Sequence, residues 1–211
     1  MIIRLRRQQV KATDKQFFIA EDLPRKVDEA NVKKGKKAGN LKVVWISRIA
    51  PKKNLKYAIE ILEETKSDIE FTIYGPAHTE EYWKECKQEL RKLPSNVKWE
   101  WKGNLDSESV VETLKHYHVF LFPTLGENFG HVIQEALSAG CPCIISDQTP
   151  WRDFESQGVG YVFSLENKSA FVNAVEKYAV MKQEEFQNAV EKAHQYLSLI
   201  HISEPTRQAE I

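Results

Sequence analysis

From Lys42 onward the chain alternates short β-branched or aromatic runs with amphipathic segments, and this alternation restricts the fold more than any other feature. Lys42 to Ser47, Glu70 to Tyr74, Val97 to Lys102, His118 to Phe122 and Cys143 to Ser146 read as strands. Between them apolar residues recur at helical spacing: Leu55, Ile59 and Leu62, then Trp83, Cys86 and Leu90, then Val110, Leu114 and Tyr117. Strands separated by helices pair through right-handed crossovers. The expected architecture is therefore an α/β, doubly wound parallel sheet covered on both faces. Two further helices, about Ser169 to Ala179 and Glu184 to Tyr196, are expected to pack on the outside.

The compact unit expected from this pattern is 41–196, with 1–40 as the remnant of a preceding domain plus a linker. The basic run Lys33 to Lys37, with Gly35 and Gly39 beside its lysines, has no interleaved aromatics to stack bases and reads as a solvated linker, with no nucleic-acid partner. The 30 basic residues balance 30 acidic ones, although the surplus of positive charge lies before Lys56. No apolar run approaches the roughly 18 residues that span a bilayer, and Met1 to Gln9 has no apolar core of a secretory signal. Three cysteines, Cys86, Cys141 and Cys143, are too few for a disulfide framework and favour a reducing cytoplasm.

In an open parallel sheet, ligands bind at the carboxyl ends of the strands. Here those ends are marked: Ser47-Arg48 and Lys53 after the first strand, Gly75-Pro76 after the second, Gly103-Asn104 after the third, and Pro123-Thr124-Leu125-Gly126-Glu127-Asn128-Phe129-Gly130 after the fourth. Asn128 is the expected cap of the helix that follows. The amides of Phe129, Gly130 and His131 would then face an anion at the helix N-terminus. Arg48 and Lys53 supply positive charge from the neighbouring strand end, Arg as a planar fork and Lys as a mobile point charge. Glu127 and Glu135 do not suit phosphate, but a carboxylate is a good bidentate acceptor for vicinal hydroxyls of a sugar or ribose.

These residues together resemble the donor-binding, C-terminal half of retaining glycosyltransferases of the family-4 type (glycosyl transferases group 1), which have two Rossmann-like domains. The family's Glu-x7-Glu motif matches Glu127 and Glu135, its basic pair Arg48 and Lys53, and its strand-end glycines Gly75 and Gly103. The resemblance implies a nucleotide-diphospho-sugar donor whose diphosphate is held by Arg48 and Lys53. Glu127 then holds the transferred sugar and Glu135 the ribose, and the amides near Phe129 to His131 complete the cradle. It further implies a missing N-terminal domain and an acceptor, whether glycan, lipid or small molecule, that the sequence does not specify. Peripheral membrane contact of the full-length enzyme is compatible with it, and this chain alone should bind donor without transferring. Three positions depart from the family pattern: Ser47 and Asn54 stand where Gly is common, and His131 where an aliphatic residue is usual.

Other chemistries find less support. There is no G-x-G-x-x-G and no P-loop, and no Asp-x-Asp for a metal clamp, so neither cofactor nor metal is expected. A nucleotide-sugar 2-epimerase on the same architecture, or a non-catalytic nucleotide-binding module, are the alternative functions. Cys141 and Cys143 read as packing at a strand start, His116 and His118 as structural, and Trp99 and Trp101 as core or interface residues on one side of a strand. The segment 197–211, LSLIHISEPTRQAEI, resembles a translated sequencing adaptor and is expected to be non-native.

Overall fold

The structure, a computed structural model, describes residues 32–203, with side chains as far as Leu197. The strands are β1 (Asn40–Ile46), β2 (Asp68–Tyr74), β3 (Val97–Trp101), β4 (Val119–Phe122), β5 (Cys143–Ser146) and β6 (Gly160–Phe163). The helices are α1 (Leu55–Glu63), α2 (Glu80–Leu90), α3 (Val110–Leu114), α4 (His131–Ser138), α5 (Phe154–Gln157), α6 (Lys168–Val180) and α7 (Gln183–Ser203). The five expected strands are all present. The sixth, β6, is short and opens on a glycine, which hid it from a reading based on β-branched runs.

All six strands are parallel, in the order β3-β2-β1-β4-β5-β6. The chain builds leftward from β1 to β3, then crosses back to lay β4 on the free side of β1. The order thus reverses between β1 and β4, the place at which open parallel sheets generally bind ligands outside the carboxyl ends of their strands. On one face α1 packs beside α2 and α6; on the other α4 packs beside α3 and α7. Covered on both sides, β4 and β5 are buried throughout and β1 is buried from Val43 to Ile46, as their continuous apolar runs require. Trp45, Phe71, Phe120, Phe122, Phe154, Phe171 and Phe186 fill the core.

β3 is an edge strand, and of the two readings for its tryptophans, core or interface, this corrects the core one. Trp99 and Trp101 are 37% and 42% exposed, and Trp101 leans on Trp83 of α2 with ring centroids 5.0 Å apart.

The lysine run is not a solvated linker. Lys34 is 4% exposed, and its Nζ donates to the carbonyls of Leu114 (3.0 Å) and Tyr117 (2.7 Å) at the end of α3. Lys36 Nζ donates to Ala179 O (2.7 Å) at the end of α6 and to Asn40 O (3.2 Å). Carbonyls in the last turn of a helix lack intrahelical donors and carry the negative end of its dipole, so each ammonium satisfies both needs. His118 completes the clasp, with Nδ1 accepting from Lys42 N (2.9 Å) and Nε2 donating to Gly35 O (3.0 Å). The expectations for 1–31 and 204–211 lie outside the described residues. Within them, α7 continues past Tyr196 to Ser203, and Leu197 is 2% exposed.

Candidate functional site

The loops at the carboxyl edge of the sheet are bonded to one another. After β1 the chain makes a single 3-10 turn, Pro51–Lys53, and Asn54 then adopts a left-handed conformation (φ 57°, ψ 43°) before α1 begins. Asn tolerates that conformation better than other non-glycine residues. This is why it can stand where the family commonly has Gly. From there Asn54 Nδ2 donates to Pro123 O (2.9 Å), while Lys52 O accepts from Leu125 N (2.9 Å) and Thr124 Oγ1 (3.1 Å). The post-β4 loop is held in turn to the post-β5 segment, through Ser146 Oγ to Thr124 O (2.5 Å) and Glu127 N to Gln148 O (2.9 Å).

This stitching brings two of the expected residues together. Lys53 Nζ is bonded to Glu127 Oε1, with the side chains 19% and 15% exposed, and Nζ also lies 5.8 Å from the centre of the Phe122 ring. Arg48, two residues beyond the end of β1, is exposed at the same edge.

Beyond Glu127, α4 starts later than expected. Its cap is Gly130 (φ 84°, ψ 53°), whose carbonyl accepts from Ile133 N (2.8 Å), so Asn128 is not the helix cap; it and Phe129 are exposed in the bend before it. Asn128 loses that place because the chain must turn through a left-handed conformation to enter the helix, and glycine adopts it without strain. A side chain at Gly130 would also press its Cβ to 2.8 Å from Ile133 Cδ1. His131 is the first residue of α4, and its ring lies 4.7 Å from that of Phe129. Glu135 sits one turn inside α4, half-buried.

Gly75 is demanded by the fold itself. At φ 129° its Cβ would lie 1.7 Å from Ser47 O, so only glycine lets the strand ends of β1 and β2 touch; its amide donates to Gly103 O (2.7 Å). A Cβ at Gly103, by contrast, would meet nothing within 4 Å.

The remaining candidates are structural. Burial pushes the thiol pKa of Cys86 up to about 11 and those of Cys141 and Cys143 upward, so none is a ready nucleophile. Among the described residues no group of three or more His, Cys, Asp or Glu is arranged to hold a metal ion. A groove of about 560 Å³ between α1 and α2 contains none of Arg48, Lys53, Glu127 or Glu135, and its Glu60, Glu81 and Glu85 do not suit phosphate. Sequence reasoning passed over Ser146 and Trp151, and it placed Thr124 at the marked strand end without giving its hydroxyl a role. The two hydroxyls carry no local signal, whereas Trp151 beside Pro150 just after β5 was visible as a large aromatic at a strand end. It donates from Nε1 to Phe129 O (2.9 Å).

Comparison with known proteins places the chain in a family and matches its fold. The sequence profile of the family described as "Glycosyl transferases group 1" matches residues 26–196. A Caenorhabditis elegans protein, GDP-Man:Man(3)GlcNAc(2)-PP-Dol alpha-1,2-mannosyltransferase, is 26% identical over 137 residues, covering 58% of this chain and 29% of the relative. Among solved structures, the lipopolysaccharide outer core galactosyltransferase WaaB superposes with a TM-score of 0.63 at 18% identity, over 85% of this chain and 54% of WaaB. Anabaena HepE, solved with UDP and glucose, gives 0.63 at 18% identity, over 76% of this chain and 44% of HepE. The chain thus spans about a third of the mannosyltransferase and about half of the two structures it matches.

Proposed function

Given that this chain belongs to the glycosyl transferases group 1 family, we propose that it is the half of a glycosyltransferase that holds a nucleotide-diphospho-sugar. The whole enzyme then passes the sugar to an acceptor hydroxyl with retention at the anomeric carbon. The observation that carries this reading is the Lys53–Glu127 pair, which brings a phosphate-binding cation and a hydroxyl-binding carboxylate together at the point where the strand order reverses. An ammonium has three donors. One goes to Glu127, leaving two for diphosphate oxygens.

In this reading Arg48, Lys53 and the amides at the start of α4 stabilise the negative charge that develops on the leaving diphosphate, work that otherwise falls to a metal ion. Glu127 orients hydroxyls of the sugar and Glu135 those of the ribose. Catalysis also needs the acceptor held against the anomeric carbon, a contribution of about 7–11 kcal/mol. That is the task of a second domain, so this half binds without transferring. A cytoplasmic location suits three buried, free thiols.

Calorimetric titration of the chain with UDP, GDP, ADP and their sugar conjugates tests the proposal. Binding of at least one nucleoside diphosphate, weakened by Arg48→Ala, is the expected result; no binding to any of them would overturn it.

A further inference from the structure

We infer that Trp151 is a positioning residue for the anion-binding end of α4: its indole N–H locks the Phe129–Gly130 peptide in the orientation that presents the Gly130 amide to a diphosphate. The inference rests on the donor-binding reading above.

Gly130 has φ 84°, in a region where the preceding peptide can rotate as a unit at little steric cost, exchanging the directions of its C=O and N–H. A hydrogen bond opposes that rotation. Trp151 Nε1 donates to Phe129 O at 2.9 Å. The peptide is trans and planar, so holding the carbonyl on the Trp151 side sends the Gly130 N–H the opposite way. The indole also packs on the glycine, since a Cβ at Gly130 would lie 3.3 Å from Trp151 Nε1.

Trp151 is itself held from behind. Its ring lies 5.6 Å from that of Phe154 and 6.2 Å from that of Tyr196 on α7. The Tyr196 hydroxyl donates to the carboxylate of Asp153, and Arg152 donates to the Trp151 carbonyl (2.8 Å). A continuous set of contacts thus runs from α7 through Trp151 to the first turn of α4. The Trp151–Phe129 bond is solvent-exposed. Water would satisfy both groups if it broke, so it adds little to stability and acts mainly on direction.

Trp151→Phe keeps an aromatic ring and removes the donor. In the full chain, the backbone resonances of the Phe129 carbonyl and Gly130 amide are compared by NMR, melting temperatures are measured, and UDP, GDP and ADP are titrated, the tightest carrying the comparison. The expected result is shifted Phe129 and Gly130 resonances, a melting temperature within about 2 °C of the parent and affinity lower by about tenfold, as for one lost hydrogen bond. Tyr196→Phe, which leaves the indole donor in place, should give a smaller loss in the same direction. Unchanged affinity or unchanged resonances in Trp151→Phe would overturn the inference, as would a melting temperature lowered by many degrees, which marks a purely structural residue. Failure of the parent protein to bind any of the three is a different outcome: it removes the donor reading, and this inference with it.

Discussion

Lys53, in the turn after β1, and Glu127, in the loop after β4, are 74 residues apart in sequence and bonded side chain to side chain, four-fifths or more buried. A pair so placed is held by the folding of both loops rather than by its own attraction, because taking two charges out of water costs about as much as their pairing returns. It makes the β1/β4 junction a single charged unit, and the first two predictions concern its parts.

Arg48→Ala and Lys53→Ala should each weaken nucleoside-diphosphate binding by about 1.5–3 kcal/mol, the usual range for a hydrogen bond to a charged group. Isothermal titration of each variant measures this. Affinities equal to the parent's in both would remove the two cations from the site.

The carboxylates should separate by ligand. Glu135→Ala is expected to weaken the bare nucleotide, whereas Glu127→Ala should weaken only the sugar-bearing form. By releasing Lys53, Glu127→Ala should leave the bare diphosphate bound at least as tightly as before. Titrating both ligands into both variants decides it, and equal losses throughout would contradict the assignment.

Lys34→Met should be destabilising. The ammonium is buried and bonded to the carbonyls of Leu114, the last residue of α3, and of Tyr117 just beyond it, and methionine removes both bonds. The loss is expected to be about 2–4 kcal/mol, and a lowering of the melting temperature by about 4–16 °C follows for a domain of this size. Thermal unfolding of the variant alongside the parent is the check, and coincident curves would show that the clasp contributes nothing.

Stability should fall in mild acid because of His118. Burial pushes its pKa down to about 4, while in the unfolded chain it titrates near 6.5. Between these values the unfolded state takes up a proton that the folded state refuses, so as pH drops from 6.5 to 4 unfolding becomes easier by about 3 kcal/mol in total. Denaturant titrations across this range should show a flatter pH dependence in His118→Gln than in the parent; identical slopes would assign the loss to other groups.

A chain ending after Leu197 should keep the melting temperature of the full chain within about 2 °C, because the compact unit has its packing complete there. Ending after Gln195 removes the Tyr196 hydroxyl from Asp153 and its ring from Trp151 and Phe154, and should lower it by several degrees. Calorimetric scans of the two truncations separate the cases.

The sequence alone determined what depends on near neighbours. Apolar spacing and cap residues set the helices other than the short α5, β-branched runs set five of the six strands, and their alternation dictated a parallel sheet. It also displayed Arg48, Lys53, Glu127 and Glu135 at strand ends or just inside the helix that follows one. Tertiary structure decided whatever depends on partners far along the chain. The order in which β4 returns beside β1 made Lys53 and Glu127 neighbours, and α3 and α6 drew Lys34 and Lys36 out of solvent. Gly130 took the cap expected of Asn128, and the edge place of β3 left Trp99 and Trp101 exposed. The physical reason is the same in each case. Periodicity and turn chemistry act over a few residues, whereas an unpaired carbonyl, a buried charge or a strained backbone is satisfied only by groups that packing of the whole domain brings within reach.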